Sequence, residues 1–109
     1  MSQSKVVVVL VTCPTRAVAR RIARELVIRR LAACVNVVGA VESTFSWKGK
    51  IERCQESLLM IKTTAASFQA LRRAILALHP YEVPEVIALP VIAGHQTYLR
   101  WVASSVASS

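Results

Sequence analysis

The sequence predicts an α+β fold in which the strands of one sheet alternate with two helices, followed by a short helix at the carboxyl end. Three observations indicate it. Residues 6–12 form a run of mostly β-branched residues, which is typical of a strand covered on both faces. Two later segments repeat apolar residues at helical spacing. Between these segments, two alternating arms flank a Lys-Gly-Lys turn, which predicts a β-hairpin.

Both main helices are predicted from their apolar stripes. The first helix begins after Thr15, whose hydroxyl is a good N-cap, and extends to about Leu31. One side of it carries Val18, Ile22 and Leu26, and much of the opposite side carries Arg16, Arg20, Arg24 and Arg29. The second helix opens at residues 64–67, and its stripe consists of Phe68, Leu71, Ile75 and Leu78.

A long hairpin is predicted from residues 32–47 and 51–63, with Gly39 as a bulge or bend in the first arm. Each arm is longer than about ten residues, whereas a typical strand has about five or six. A chain of 109 residues lacks the core to cover the outer half of such a ribbon. We therefore expect Phe45, Trp47 and Ile51, near the tip, to contact another subunit.

The turn after the second helix, residues 79–85, brings one imidazole and two carboxylates together. Pro80 lacks the amide proton that would continue the helix, so the helix ends at His79. Glu82 and Glu85 follow within the same turn. Such a group of side chains is a candidate site for a divalent ion such as Zn²⁺ or Cu²⁺.

The rest of the chain completes the expected fold. A last strand is predicted over residues 85–92, and a terminal helix capped by Thr97 follows it. The order of strand, helix, strand, strand, helix and strand is the split βαβ, ferredoxin-like arrangement. We expect a single domain over residues 1–109, with an ordered core over about residues 5–102 and a fraying tail over residues 103–109.

Composition and charge limit the classes of function. The chain is 54% apolar, and its net charge of +8 comes with no aspartate. Six of the fourteen basic residues lie between Arg16 and Arg30. Such a concentration is typical of a surface for nucleic acid, phosphate or an anionic membrane, but a solvated helix face needs no ligand and is the favoured interpretation.

Cysteine usage and hydropathy indicate a location in the cytoplasm. Three cysteines without a C-x-x-C pair imply no disulfide framework, which fits a reducing compartment. The apolar run near the amino end is short for a signal sequence, and no stretch approaches the roughly eighteen apolar residues that a membrane span requires. No membrane partner is expected.

Five pieces of sequence, spread in order over nearly the whole chain, carry a resemblance to a known family. They are Leu31-Ala32-Ala33-Cys34-Val35-Asn36, Trp47-Lys48-Gly49-Lys50, Ile61-Lys62-Thr63, His79-Pro80-Tyr81-Glu82-Val83-Pro84-Glu85 and Tyr98-Leu99-Arg100-Trp101. The chain resembles the CutA family of small divalent-cation-tolerance proteins. This resemblance implies a ferredoxin-like homotrimer whose long hairpins pair across subunits and leave clefts between chains. It also implies a cytosolic protein that is associated with copper and other divalent ions and is not an enzyme.

The resemblance also implies metal ligands, which this chain retains in part. The family's copper ligands are a cysteine late in the first strand and two histidines before Pro-Tyr; here these positions are Val11, Leu78 and His79. Cys13 lies two residues beyond Val11, on the same side of an extended strand, and a helix N-terminus next to it is expected to lower its pKa. His79, Cys13 and Glu85 therefore form the candidate metal site, with copper or another divalent cation as the cofactor. The alternative is a structural His79 hydrogen-bonded to backbone carbonyls.

A second candidate site is a cleft between subunits. Its predicted lining residues are Cys34, Trp47, Lys62, Tyr81, Tyr98 and Trp101. The ammonium of Lys62 is placed to bind an anion, so the alternative function is a signalling module, built like PII-type regulators, that holds an anionic small molecule. The aromatic residues are at least as often interface packing, and Cys34 is favoured as a small buried hydrophobe.

Other classes of function are not supported by the sequence. The aromatic pattern with which a ferredoxin-like sheet binds RNA is absent, so nucleic acid is not an expected partner. The three glycines do not form a phosphate-cradling loop. No Ser-His-Asp order or H-E-x-x-H pattern indicates an enzyme.

Overall fold

Residues 5–107 are described in the computed structural model of the chain. These residues form four strands, β1 Val6–Cys13, β2 Cys34–Trp47, β3 Lys50–Thr64 and β4 Ile87–Pro90. The same described residues form three α-helices, α1 Arg16–Ile28, α2 Phe68–Leu78 and α3 Gln96–Ser105, and the 3-10 turn Ala65–Ser67 leads into α2. All pairs of strands are antiparallel, and the sheet order is β2-β3-β1-β4. The predicted split βαβ, ferredoxin-like fold is confirmed.

The hydrophobic core lies between one face of the sheet and the helices α1 and α2. Val9 and Val11 of β1 pair in register with Ile61 and Leu59 of β3, and all four side chains are completely buried. The helices contribute Ala19, Ile22, Leu26, Leu71 and Ile75 to the same core. Burial of each large side chain stabilises the fold by about 1.5–3 kcal/mol, so this layer holds the helices on the sheet.

Helix α1 begins where the sequence predicts and ends earlier. Thr15 is the N-cap, and its hydroxyl accepts the backbone N–H three residues further on at 3.1 Å. The helix ends at Ile28 and not at Leu31, because Arg30 adopts a left-handed φ of 58°. The N–H of Leu31 turns back to the carbonyl of Leu26 at 2.9 Å, which satisfies one of the last free helix carbonyls.

The hairpin has arms of 14 and 15 residues and gives the chain its elongated extents of 49 × 26 × 22 Å. The bulge predicted at Gly39 is confirmed, since the register of β2 and β3 shifts between Val38 and Val41. The guanidinium group of Arg16 lies so close to Gly39 that a Cβ atom at that position would overlap it. Any larger residue at position 39 would therefore require the end of the Arg16 side chain to move.

Strand β4 is shorter than predicted. It is confined to Ile87–Pro90, inside the expected range of residues 85–92, because it pairs only with Val7 to Leu10 of β1. As an edge strand it ends at a proline, which has no amide proton to donate to the ladder.

The predicted fraying of residues 103–109 is wrong for residues 103–107. Helix α3 extends to Ser105, Val106 is buried, and the N–H of Ala107 donates to the carbonyl of Arg30 at 2.8 Å. The side chain of Arg30 also donates to two carbonyls at the end of α3. Helix α3 begins at Gln96, and no side chain caps it, so Thr97 is not its N-cap. The last two residues, 108 and 109, lie outside the described residues.

Candidate functional site

The face of the sheet opposite the helices, here called the outer sheet face, is largely apolar. The strand register places the following side chains on this face: Val8, Leu10, Thr12, Cys34, Asn36, Val38, Leu58, Met60, Lys62, Ile87 and Leu89. Val38, Ile87 and Leu89 are each between 41% and 48% exposed in the single chain. An apolar surface of this kind usually marks an interaction site.

His79 connects three parts of the fold through its imidazole ring. Its Nε2 lies 2.8 Å from the carbonyl oxygen of Thr12, and its Nδ1 lies 3.2 Å from the backbone N–H of Tyr81. A carbonyl only accepts and an amide N–H only donates, so the ring carries its proton on Nε2. Neither ring nitrogen has a free lone pair for a metal ion. The buried ring therefore has the structural role that the sequence offered as the alternative.

Cys13 lies on the core side of the sheet, not on the outer sheet face. It is completely buried and pairs in register with Ser57. Burial, followed by the nearby carboxylate of Glu56, raises the pKa of the Cys13 thiol to about 11. The expectation of a lowered pKa is wrong, because loss of solvent outweighs the neighbouring helix N-terminus. A neutral, inaccessible thiol is a poor metal ligand.

Glu56, which is buried, and Tyr81, which is half-buried, form a hydrogen-bonded pair that the sequence did not predict. The phenol of Tyr81 donates to Oε2 of Glu56 at 2.7 Å, and Glu56 is only 7% exposed. Burial and this hydrogen bond raise the pKa of Tyr81 above its usual value. The one signal available in the sequence was a carboxylate directly before the apolar half of β3.

The segment after α2 and the hairpin enclose a groove, here called the hairpin groove, of about 410 Å³. It is lined by Thr12, Ser43, Thr44, Phe45, Glu56, Tyr81, Val83 and Glu85. A neighbouring cavity of about 470 Å³, lined in part by Trp47, Glu52 and Glu82, continues towards the hairpin tip. Both cavities are bordered by carboxylates and aromatic rings, and no lysine or arginine lines either of them.

The structure does not bring the three predicted metal ligands together. His79 is held by the backbone, Cys13 is buried under the sheet, and Glu85 lies exposed at the hairpin groove. Within residues 5–107 of one chain, no three histidine, cysteine or acidic side chains form a group able to hold a metal ion. The described part of a single chain thus contains no complete site made of three such ligands.

The predicted cleft residues fall into two groups in a single chain. At one end of the sheet, Cys34 pairs in register with Lys62, whose ammonium donates to Oδ1 of Asn36. Tyr98 lies next to Cys34, and its ring is 5.6 Å from that of Trp101. Burial, together with this thiol, raises the pKa of Tyr98.

The second group, Trp47 and Tyr81, borders the cavity near the hairpin tip. Lys62 and Glu52, which lines the same cavity, are ten residues apart on β3 and thus about 33 Å apart along the strand. One chain cannot close a cleft over that distance. The three predicted tip residues, Phe45, Trp47 and Ile51, are 43%, 39% and 77% exposed.

Sequence comparison identifies the family. A family model described as "CutA1 divalent ion tolerance protein" matches residues 7–105. The chain belongs to the CutA1 family. The divalent-cation tolerance protein CutA of Thermus thermophilus is 50% identical over 94 residues, which cover 86% of this chain and 91% of that protein. Human protein CutA is 53% identical over 92 residues, covering 84% of this chain and 51% of its own length.

Solved structures of the CutA1 family have the same fold. The crystal structure of CutA1 from Oryza sativa superposes with a TM-score of 0.95 at 41% identity, covering 98% of both chains. The chain spans about half the length of the mammalian relatives that it matches. The family is named for tolerance of divalent ions and not for a reaction. None of the helices described within residues 5–107 is long and apolar enough to cross a membrane.

Proposed function

We propose that this CutA1-family protein is a cytosolic homotrimer that binds divalent cations, copper among them, and catalyses no reaction. The observation that carries the proposal is the outer sheet face, which is apolar and unpartnered in one chain. The hairpin tip also exposes apolar side chains that a second subunit would cover. A cytoplasmic location fits three cysteines that are all free thiols.

A second copy of the chain is the partner that these surfaces favour. Strand β2 is a sheet edge of 14 residues, which pairs with β3 alone. Long edges with apolar side chains associate readily with another strand or subunit. Three hairpins that pair around a threefold axis would cover Phe45, Trp47 and Ile51, and would bring the tip of one chain near the Lys62 end of the next.

Carboxylates of the hairpin groove are the favoured cation ligands in such a trimer. Glu56 is held by Tyr81 and has no cationic partner among the described residues, and Glu85 lines the same groove. Cys54 lies two residues from Glu56 on the same face of β3 and supplies the sulfur that copper prefers. Since residues 5–107 of one chain contain no complete ligand set, we expect the neighbouring subunit to supply the remaining ligands.

Native mass spectrometry of the reduced protein, alone and with a small excess of Cu²⁺, Cu⁺ or Zn²⁺, tests both parts of the proposal. We expect three chains and a saturating whole number of metal ions per trimer. Glu56→Gln and Glu85→Gln should each reduce metal loading. Glu42→Gln, an exposed carboxylate on the other face of the hairpin, is the matched control and should leave it unchanged. A monomer refutes the trimer, and a trimer without stoichiometric metal refutes the cation site.

The second candidate function is binding of an anionic small molecule in the cleft between subunits. Lys62 favours it, because its ammonium lies in an apolar face and contacts an amide oxygen but no carboxylate among residues 5–107. A half-buried cation without a counter-ion favours an anionic partner. Saturable binding of an anion that Lys62→Gln abolishes, in a trimer that takes up no metal, would support this function over the first.

A further inference from the structure

The exposed sides of α1 and α2 carry a concentrated positive charge. We call Arg20, Arg21, Arg24 and Arg73 the basic helix face; all four side chains are exposed. The opposite side of α1, formed by Ala19, Ile22 and Leu26, is completely buried against the sheet. The basic helix face thus lies on the side of the molecule away from the outer sheet face.

The acidic residues do not neutralise this face. The only ion pair among residues 5–107 joins Arg29 to Glu25 at 3.0 Å. Helix α2 contains no acidic residue, and α1 contains Glu25 alone. The other five acids lie in the hairpin or in the turn after α2: Glu42, Glu52, Glu56, Glu82 and Glu85. Most of the acidic residues therefore lie outside α1 and α2.

Hydrogen bonds within the fold account for only one arginine of the basic helix face, Arg21, which donates to the carbonyl of Leu78 at 3.3 Å. Arg16, Arg20 and Arg24 follow one another at intervals of four residues, which places like charges next to each other on the helix surface. The first turn of α1 has no acidic residue and its last turn has no basic one, so neither turn carries the charge that the helix dipole favours. Arg20, Arg24 and Arg73 donate no side-chain hydrogen bond to the described residues. A partner of opposite charge would relieve this repulsion.

We propose that the basic helix face binds the phosphate backbone of duplex nucleic acid without reading its sequence. Guanidinium groups match phosphate oxygens in geometry as well as in charge, and ten of the fourteen basic residues are arginines. Contacts to phosphates alone give affinity but no base specificity. The sequence lacks the aromatic residues with which a ferredoxin-like sheet stacks on RNA bases. Phosphate contacts made by the helices do not need those residues.

A duplex fits this face better than a single strand or a bilayer. Single-strand binding relies on aromatic side chains that stack on bases, and Phe68, the only aromatic residue of α1 and α2, packs against the core. Helices that bind a bilayer surface insert an apolar side, but the apolar side of α1 is already buried in the core. The inference does not depend on the proposed trimer, although a trimer would present three such faces and bind with higher avidity.

Fluorescence anisotropy with a short labelled DNA duplex of arbitrary sequence, titrated at several salt concentrations, tests the inference. Each phosphate neutralised adds about −0.9 to the slope of log K against log [salt], so the four arginines predict a slope of about −3 to −4 per face. Arg20→Gln/Arg24→Gln should reduce the magnitude of the slope by about 2 and weaken binding severalfold at low salt. Arg20→Glu/Arg24→Glu should abolish binding of the duplex.

Arg53→Gln/Arg100→Gln is the matched control, because it removes the same charge from exposed positions on β3 and α3. We expect this variant to bind the duplex with the slope of the unmodified protein. Circular dichroism of each variant verifies that the fold is retained. The proposal fails if the control loses as much affinity as the helix variant, if the protein does not bind the duplex, or if phosphatidylserine vesicles bind and the duplex does not.

Discussion

Replacement of His79 by alanine should destabilise the fold by about 2–6 kcal/mol without removing a ligand of a metal ion. The change deletes two hydrogen bonds, to the carbonyl of Thr12 and from the N–H of Tyr81. Each is worth about 0.5–1.5 kcal/mol, and the abandoned backbone groups add a desolvation cost of about 1–3 kcal/mol in all, because the site is buried. Urea unfolding at fixed protein concentration measures the loss as a shifted midpoint with an unchanged slope.

Two conservative variants separate the contacts of His79. The amide oxygen of His79→Asn is placed to accept from the N–H of Tyr81, and the amide nitrogen of His79→Gln is placed to donate to Thr12. Each should therefore recover part of the stability that alanine loses. Uptake of copper should follow the stability of the variants. If all three variants retain stability within about 0.5 kcal/mol and lose copper equally, His79 is a metal ligand and has no structural role.

Three further outcomes are expected. Tyr81→Phe leaves the buried carboxylate of Glu56 without its donor and should cost about 1.5–3 kcal/mol; an unchanged urea midpoint would show that water replaces the phenol. Burial raises the pKa of Cys13 from about 9 to about 11, so the thiol stays protonated to a higher pH in the folded state than in the unfolded state. Stability should therefore be intact below about pH 9 and fall by up to roughly 2–3 kcal/mol as the pH rises through 11, and Cys13→Ala should lack this loss when unfolding is followed against pH. Phe45→Ala/Trp47→Ala should loosen or dissociate the oligomer in native mass spectra; a trimer of unchanged thermal stability would contradict the role of the hairpin tip.

The fold was predictable because its strongest signals are local. Each of three patterns predicts one element independently of the other two. They are the β-branched run before Cys13, the helical spacing of Ile22 and Leu26, and the alternation on either side of the Lys-Gly-Lys turn. The glycine bulge was visible for the same reason. Element ends were less predictable, since the contacts of Arg30 with the end of α3 join residues 74 and 75 positions apart.

The candidate site was less predictable because it depends on pairs that are distant in sequence. The sequence placed His79 in a turn with two carboxylates but gave no indication that Thr12, 67 residues away, would occupy its Nε2. Alternation alone placed Cys13 with Val11, which is correct, but it could not tell which face of the sheet was covered. Glu56 was overlooked because its partner Tyr81 lies 25 residues further along the chain.

The chain from His79 through Tyr81 to Glu56 couples the end of α2 to the hairpin groove. His79 fixes the backbone at Tyr81, the two rings pack with centroids 4.7 Å apart, and the Tyr81 phenol then orients the Glu56 carboxylate. We therefore expect a change at His79 to displace the side chains of the groove even though the imidazole does not line it. Loss of metal in a His79 variant alone cannot identify a ligand in this chain. Metal uptake by His79→Asn and by Tyr81→Phe should be compared to decide whether His79 is a ligand. His79→Asn preserves the backbone at Tyr81, whereas Tyr81→Phe preserves the imidazole and releases only the carboxylate of Glu56.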